Sequence, residues 1–216
     1  MSDVKAIIFD LDGTLVDSRV SWLYAETGLF EKLGQRYNPE IAALYRGMNA
    51  SDVAKTIHEA LGHDDIRVDD AASFLKERLI EAAGEGAVKI AGADDILKWS
   101  RKSFRLAIAS GSPLEVIHDI VAGFHWDDYF EAVVSSEEVA NGKPHPDVFI
   151  ETSRRLNLIG REILVVEDSI NGIVAAQKAG MACFAVGEQD RDVKKKTADN
   201  YFSSLAEIKP AHIMEL

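Results

Sequence analysis

The spacing of apolar residues changes twice along this chain and divides it into three stretches. Residues 5–9 form a short apolar run that predicts a buried strand. Residues 18–87 carry apolar positions at helical spacing only, and from residue 88 onward short apolar runs alternate with amphipathic stretches. The helices of the middle stretch are predicted to begin near Ser18, after Pro39, near Ser51 and at Asp69 or Asp70, and the last to end at Gly84 and Gly86.

The alternating stretch predicts a parallel sheet with helices on both of its faces. Strands are predicted at residues 104–109, 132–134, 163–166 and 182–186, and helices at residues 146–156 and 171–179. Ser112-Pro113 is the pattern of an N-cap followed by proline at the first helical position.

We therefore predict an α/β fold in two parts. A Rossmann-like parallel sheet forms the core, residues 1–17 and 88–216, and an all-helical cap, residues 18–87, is inserted after the first strand. In open α/β sheets, ligands bind beyond the carboxyl ends of the strands. A cap inserted at that point would cover the binding site.

The charge of the chain excludes one class of partner. The 216 residues are 47% hydrophobic and 28% charged, as in ordinary globular proteins, and the net charge is −12. A general nucleic-acid binder would be basic, so we expect no nucleic-acid partner. An anionic substrate would have to be attracted by a local positive feature. The three lysines at residues 194–196 are predicted to form a solvated turn.

The single cysteine and the hydropathy of the chain predict a cellular location. Cys183 lies in an apolar run and is predicted to be a buried small hydrophobic residue. One cysteine allows no disulfide within the chain, which fits a reducing compartment. The N-terminus has no leader-like stretch, and no apolar run approaches the roughly 18 residues that a membrane span needs. We expect a cytoplasmic protein without membrane contact, and the small cap and acidic surface predict a monomer.

Two carboxylates stand at the end of the first predicted strand. Asp10 and Asp12 directly follow the apolar run, where a buried charge needs a partner or a metal ion. The alternative is a simple turn, because Asp12-Gly13 is a common turn pair. Glu167 and Asp168 repeat this arrangement after the strand at residues 163–166, and their oxygens suit Mg²⁺. The alternative there is that Asp168 or Ser169 only caps the next helix.

A hydroxyl and a lysine follow other predicted strands and loops. Ser110 ends a strand next to Gly111, and the backbone N–H groups of Gly111 and Ser112 at a helix N-terminus suit phosphate oxygens. A plain capped turn is the alternative reading of that segment. Lys143 stands in a loop that Pro144 and a second proline make rigid, so its ammonium can neutralise a carboxylate and a phosphoryl oxygen together. A lone loop lysine is otherwise solvated.

Taken in order, these segments resemble the four motifs of the haloacid dehalogenase superfamily. They are Asp10-x-Asp12-Gly13-Thr14, then Ser110, then Lys143-Pro144, then Glu167-Asp168. The resemblance covers the whole chain, and the helical stretch after the first motif matches the inserted cap of that family. It implies a phosphatase that acts on a small phosphorylated metabolite, such as a sugar phosphate, through an aspartyl-phosphate.

The resemblance also implies roles for individual residues. Asp10 would be the nucleophile, and Asp12 would be the general acid to the leaving oxygen and then the base for water. Ser110, Gly111 and Lys143 would bind the transferring phosphoryl group. Members that break carbon–halogen bonds lack the second aspartate, so Asp12 argues against dehalogenation.

A magnesium ion is the cofactor that the resemblance implies. Its ligands would be Asp10, the backbone carbonyl of Asp12, and Asp168, with Glu167 as a nearby or water-mediated ligand. A non-enzymatic relative would have lost Asp10 or Asp12, and this chain keeps both.

The alternative function within this family is a hexose-phosphate mutase of the β-phosphoglucomutase type. Such mutases usually carry a histidine where Trp22 stands and an arginine near Ala50, whereas Trp22, Ala25 and Glu26 match hexitol-phosphate and 2-deoxyglucose-6-phosphate phosphatases. These differences favour the phosphatase, although Trp22 alone is also compatible with simple packing. Tyr45, Arg46 and Asn49, near a predicted cap loop, are candidates for substrate contact.

Overall fold

A six-stranded parallel sheet forms the centre of the protein. The structure, a computed structural model, describes residues 3–62 and 66–216, with the side chains of residues 84 and 85 outside that description. The strands are β1 (Ala6–Phe9), β2 (Val16–Asp17), β3 (Val88–Lys89), β4 (Arg105–Ser110), β5 (Ala132–Ser135), β6 (Ile163–Glu167), β7 (Ala182–Val186) and β8 (Asn200–Phe202). The order across the large sheet is β5-β4-β1-β6-β7-β8, with all neighbours parallel.

The first strand lies in the interior of this sheet, and its register sets the geometry of the site. Phe9, the last residue of β1, pairs with Ile108 of β4 on one side and with Val166 of β6 on the other. The residues that follow these positions therefore emerge at one level. The carboxyl ends of parallel strands meet at the same edge of the sheet, so side chains from distant parts of the chain converge there.

Helices cover both faces of the sheet, as the alternating pattern predicts. The insertion contains α1 (Arg19–Lys32), α2 (Pro39–Ala42), α3 (Ala50–Leu61) and α4 (Val68–Gly86), and the helices after it are α5 (Ala93–Ser100), α6 (Leu114–Gly123), α7 (Asp147–Leu156), α8 (Ile170–Lys178), α9 (Arg191–Thr197) and α10 (Pro210–Met214). Successive residues of β1 point to opposite faces: Ile7 and Phe9 belong to one buried apolar cluster, and Ala6 and Ile8 belong to the other. This alternation explains why every residue of β1 is apolar and buried.

The predicted α/β fold is confirmed, and the helical insertion follows the first strand of the sheet. Helices α1 to α4 lie in the chain between β2 and β3, and these two short strands pair antiparallel with each other. Helix α4 packs against α1 and α3. The chain therefore leaves and re-enters the sheet region through one two-stranded ribbon.

Two predicted helix caps and one predicted solvated turn are wrong, because tertiary contacts replace the local ones. Ser18 precedes α1, and Ser112 precedes α6 by two residues, but both hydroxyl groups donate to Asp12 instead of capping a helix. The lysines at residues 194–196 belong to α9, and Lys194 is buried beneath β7 instead of solvated. Helix α4 ends at Gly86, the second of the two glycines predicted to end it. Within residues 3–62 and 66–216, no helix has both the length and the apolar character to cross a membrane.

Candidate active site

Lys143 occupies the centre of a buried group of charges at the carboxyl edge of the sheet. Its ammonium donates to Asp10 Oδ1 and to Glu167 Oε1, both at 2.7 Å, and to the carbonyl of Ala109 at 3.2 Å. Lys143 is only 1% exposed. Burial alone would lower the pKa of Lys143, but Asp10 and Glu167 outweigh it and raise the pKa. The ammonium therefore stays charged and holds the two acids in place.

The acids around Lys143 outnumber the positive charge that the lysine brings. Burial is the main cause that raises the pKa of Asp10 well above its ordinary value, against the attraction of Lys143. Burial, followed by repulsion from Glu167, raises the pKa of Asp168 to about 7. Buried carboxylates of this kind are stable as anions only when further positive charge is supplied.

The same three acids form a group with the dimensions of a divalent-cation site. Asp10, Glu167 and Asp168 each offer a carboxylate oxygen, and these atoms lie within 4.8 Å of one another. Oxygens bound to one Mg²⁺ lie about 2.1 Å from it, so they are separated by at most about 4.2 Å. Small side-chain rotations would close that difference. Hard oxygen ligands and excess negative charge therefore fit Mg²⁺.

Glu167 differs from its two neighbours because both of its oxygens have protein donors. Oε1 accepts from Lys143, and Oε2 accepts from the backbone N–H of Ser169 at 2.6 Å and from its hydroxyl at 3.0 Å. A Cβ at Gly172 would collide with this carboxylate, so glycine is required for the close approach of α8. The sequence alternative in which Ser169 caps this helix also holds, since its hydroxyl accepts from Gly172 N–H. These contacts make Glu167 the fixed anchor of the group.

Asp12 is held by donors from two different parts of the chain. Ser18 Oγ at 2.5 Å and Trp22 Nε1 at 3.4 Å donate to Asp12 Oδ1. Ser110 Oγ at 2.9 Å and Ser112 Oγ at 2.7 Å donate to Oδ2. The carboxylate of Asp12 is therefore oriented by the start of α1 on one side and by the end of β4 on the other.

The segment after β4 lies at the site, but its donors are used differently from the prediction. The N–H of Ser112, expected to bind a phosphate oxygen, donates to Ser110 Oγ at 3.0 Å. Gly111 lines the cavity, and a Cβ on it would lie 2.6 Å from the carbonyl oxygen of Met48. The close approach of Met48 and Gly111 brings the helical insertion directly against the sheet.

The insertion is in contact with the loops of the sheet at several further points. The carbonyl of Arg46 accepts from Asn171 Nδ2 at 2.8 Å, and the Arg46 guanidinium lies 3.7 Å from Asp190. Lys76 pairs with Glu137 at 3.1 Å. Between the two parts lies a cavity of about 730 Å³ that contains Asp10, Asp12 and Asp168 at one end. A cavity of this size takes a small metabolite.

Three cap residues proposed from the sequence as substrate contacts do not share one environment. Tyr45 and Arg46 line the cavity, together with Trp22. Asn49 instead caps α3, because its side-chain oxygen accepts from the N–H of Asp52 at 2.8 Å. The sequence alone did not separate these roles, since all three residues lie close together in one predicted loop.

Three side chains at the site, Lys194, Ser18 and Ser112, were not expected there from the sequence. Lys194 donates to the carbonyl of Val186 at 2.8 Å and lines the cavity. Ser18 and Ser112 contact Asp12. The sequence pattern predicted helix caps for the two serines and a solvated turn for the lysine, because these are the more common environments of these residue types.

The comparison with known families decides the identity of this arrangement. A family model described as haloacid dehalogenase-like hydrolase matches residues 7–186. This chain belongs to the haloacid dehalogenase-like hydrolases. The match runs from β1 to the end of β7, so it includes the segments that supply Asp10, Lys143 and Asp168. The resemblance stated from the motifs is therefore confirmed.

Individual relatives and solved structures agree with this assignment. The chain is 28% identical over 211 residues to hexitol phosphatase B of Escherichia coli, covering 95% of this chain and 94% of that protein. It is 27% identical over 183 residues to a phosphorylated carbohydrates phosphatase of Thermotoga maritima, covering 82% of each. A crystal structure of β-phosphoglucomutase from Clostridium difficile superposes with a TM-score of 0.85 at 21% identity, covering 98% of this chain and 96% of that one. That last likeness shows the fold alone.

Proposed function

We propose that this hydrolase is a Mg²⁺-dependent phosphatase that hydrolyses a small phosphorylated metabolite, a sugar phosphate, through an aspartyl-phosphate on Asp10. The observation that carries the proposal is the buried ammonium of Lys143 at 2.7 Å from both Asp10 and Glu167. A carboxylate fixed by a cation at the end of a strand is a positioned nucleophile. The phosphatase names of the two relatives support the same class of reaction.

The proposed reaction uses Asp10 and Asp12 in turn. A carboxylate oxygen of Asp10 attacks the phosphorus, and the bond to the leaving oxygen breaks while Asp12 donates a proton to that oxygen. Asp12 then accepts a proton from the water that hydrolyses the aspartyl-phosphate, which releases phosphate and restores Asp10. Lys143 offsets the repulsion between Asp10 and the incoming phosphoryl group. In this proposal the N–H of Gly111 contacts the phosphoryl oxygens, and Ser110 joins it when its hydroxyl turns from Asp12 to the bound phosphoryl group.

Asp10, the backbone carbonyl of Asp12, and Asp168 would hold the Mg²⁺, with Glu167 as a nearby or water-mediated ligand. The bound ion would supply positive charge opposite the transferring phosphoryl oxygens. The charge balance supports this assignment, because the three carboxylates of Asp10, Glu167 and Asp168 outnumber the two lysines that act on them, Lys143 and Lys194.

The proposal includes a division of labour between the two parts of the chain. Residues 1–17 and 88–216 would form the catalytic core, and residues 18–87 would form a cap that selects the substrate. The β2–β3 ribbon at the two ends of the insertion, and a cavity lined from both sides, support this division. The proposal also includes a cytoplasmic, monomeric protein, which the free buried thiol of Cys183 supports for its reducing location.

Trp22 supports the phosphatase over the mutase alternative. Its indole N–H lies 3.4 Å from Asp12 Oδ1. An indole donates a hydrogen bond but does not exchange protons near neutral pH, unlike the histidine of the mutases. The proposal therefore assigns proton transfer to Asp12.

The test is phosphate release by the purified protein with Mg²⁺ from p-nitrophenyl phosphate and from a panel of sugar phosphates. We expect turnover that chelation of Mg²⁺ removes. Asp10→Asn should abolish turnover and keep the far-ultraviolet circular dichroism of the wild type, because the change is nearly isosteric. A silent panel with folded wild-type protein would refute the phosphatase, and an active Asp10→Asn protein would refute Asp10 as nucleophile.

A separate incubation tests the mutase alternative. The protein is incubated with β-glucose 1-phosphate and a hexose bisphosphate primer, and both glucose 6-phosphate and free phosphate are measured. Free phosphate as the main product agrees with the phosphatase. Rapid formation of glucose 6-phosphate with little free phosphate would replace it with the mutase.

A further inference from the structure

The cavity wall that α1 and the segments around α2 form carries a second polar group, which the proposed reaction does not use. Helix α1 brings Trp22 and Glu26 to the cavity on successive turns, because residues four apart share one helix face. Tyr37 and Tyr45 come from the segments on either side of α2 and line the same cavity. This cap wall is defined here by Trp22, Glu26, Tyr37 and Tyr45.

The hydroxyl of Tyr45 is buried in this wall and unsatisfied. Tyr45 is only 3% exposed, and within the described part of the chain its hydroxyl oxygen has no hydrogen-bond partner. The hydroxyls of Tyr45 and Tyr37 face Glu26 closely enough to lower its pKa, although the Tyr45 contact does not reach hydrogen-bond geometry. A buried hydroxyl without a partner is costly, so a group that enters the cavity and bonds to it regains free energy.

Glu26 adds a carboxyl group to the same place. The residue is 8% exposed, and burial raises its pKa to about 7. A carboxyl group that is half ionised near neutral pH is a strong hydrogen-bond acceptor and does not demand a cationic partner. Glu26 and the tyrosine hydroxyls beside it are therefore suited to a neutral ligand group that can both donate and accept hydrogen bonds.

The two arginines that line the cavity are paired with carboxylates. Among the described residues that line it, three carry positive charge: Arg19 bonds to Asp17, Arg46 lies 3.7 Å from Asp190, and Lys194 donates to the carbonyl of the last residue of β7. A second phosphate or a carboxylate on the substrate would require a free cation here. The pairing of both arginines favours a leaving group without a second anionic group.

We propose that Glu26 and Tyr45 bind a hydroxyl group of an uncharged, polyhydroxylated leaving group, which makes sugar or polyol monophosphates the substrate class. The inference rests on the proposed phosphatase function and deepens it. The substrate hydroxyl donates to the carboxyl oxygen of Glu26 and accepts from the hydroxyl of Tyr45. Trp22, one turn away, offers an aromatic face to the carbon chain. Tyr45 and Glu26 are thus specificity residues for the leaving group.

The test compares three phosphate esters on wild type and on two variants. Sorbitol 6-phosphate offers several hydroxyls, phosphoglycolate offers a carboxylate, and p-nitrophenyl phosphate offers neither. We expect Tyr45→Phe and Glu26→Gln each to lower kcat/KM for sorbitol 6-phosphate by about 10-fold, equivalent to about 1.4 kcal/mol, and to leave p-nitrophenyl phosphate nearly unchanged. Tyr24→Phe is the matched control, because Tyr24 is an exposed tyrosine on α1.

The outcomes separate this inference from the function on which it rests. Absence of all turnover by wild type would refute the phosphatase itself. Turnover of p-nitrophenyl phosphate with phosphoglycolate preferred over sorbitol 6-phosphate would keep the phosphatase and overturn the inference. An equal loss on all three esters in both variants would also overturn it, since that pattern indicates a structural role. If only one of the two variants folds, its activity on the three esters is enough to test the inference.

Discussion

The buried carboxyl group of Glu26 makes a prediction about stability that does not depend on finding the substrate. Its pKa in the folded protein is about 7, against 4.5 for an unburied glutamate, and burial is the main cause. Below pH 4.5 the group is neutral in both the folded and the unfolded chain. As the pH rises, the unfolded chain ionises first, so stability is lost through the window up to about pH 7 and does not return above it.

The size of the effect follows from the shift. A rise in pKa from 4.5 to about 7, at about 1.4 kcal/mol per unit, corresponds to about 3 kcal/mol of stability in total. About 2 kcal/mol of this falls between about pH 5.5 and about pH 8, where the protein is convenient to handle. Glu26→Gln removes the titrating group. The free energy of unfolding of the variant, relative to wild type, should therefore rise by about 2 kcal/mol over that window.

Urea unfolding at both pH values measures this difference directly. Other groups titrate in the same window, but they are present in both proteins and cancel in the comparison. Glu31→Gln is the matched control, because Glu31 is an exposed glutamate on the same helix and its variant should follow wild type at both pH values. A difference between wild type and Glu26→Gln that stays constant within about 0.5 kcal/mol would refute the claim that folding holds this carboxyl group neutral.

Three further changes test the site and the contact that covers it. Lys143→Met should lower the free energy of unfolding by about 3–5 kcal/mol in urea titrations without Mg²⁺, because it strands buried carboxylates without their cation; an unchanged midpoint would contradict the pairing. Gly111→Ala should reduce kcat/KM on the order of 100-fold, because its Cβ would meet the carbonyl of Met48, whereas Gly123→Ala, which meets nothing, should match wild type. Mg²⁺ should raise the midpoint of thermal unfolding by about 5 °C in wild type and not in Asp168→Asn.

The positions of the acids and of Lys143 were predictable because they follow from strand order. Once Asp10 and Glu167 are placed at the ends of two strands of one parallel sheet, the convergence of carboxyl ends brings them together without further information. The same rule places Ser110. Lys143 is predictable for a different reason. It stands in a loop that two prolines make rigid, and its ammonium can neutralise one of the nearby acids, which are in excess.

The wrong predictions share a physical cause. Ser18 and Ser112 stand at helix starts, where a hydroxyl normally accepts from the helix, but the carboxylate of Asp12 is a stronger partner within reach. Lys194 belongs to a short helix whose burial depends on β7, which no local pattern reports. Local sequence patterns predict the most common environment of a residue type, such as a helix cap or a solvated turn. In a functional site the same residue types often occupy less common environments.

The cap wall was equally invisible in the sequence, because its members have no common motif. Tyr45 lies 19 positions after Glu26, and only the tertiary fold brings both residues to one cavity. The match of Trp22 and Glu26 to other phosphatases indicated a function but not where these side chains lie in the structure. The structure adds that Glu26 and Tyr45 are buried, that the Tyr45 hydroxyl has no hydrogen-bond partner among the described residues, and that the two nearby arginines are paired with carboxylates.

Helix α1 joins the two halves of the proposed chemistry. Its start holds Asp12 through Ser18 and Trp22, and one turn later Glu26 faces the leaving group in our proposal. A leaving group bound by Glu26 therefore acts on the same rigid element that orients the general acid. Loss of the Glu26 contact would then lower kcat as well as raise KM for hydroxylated substrates, because a displaced α1 misplaces Asp12. An effect of Glu26→Gln confined to KM would show that α1 holds Asp12 independently of the ligand.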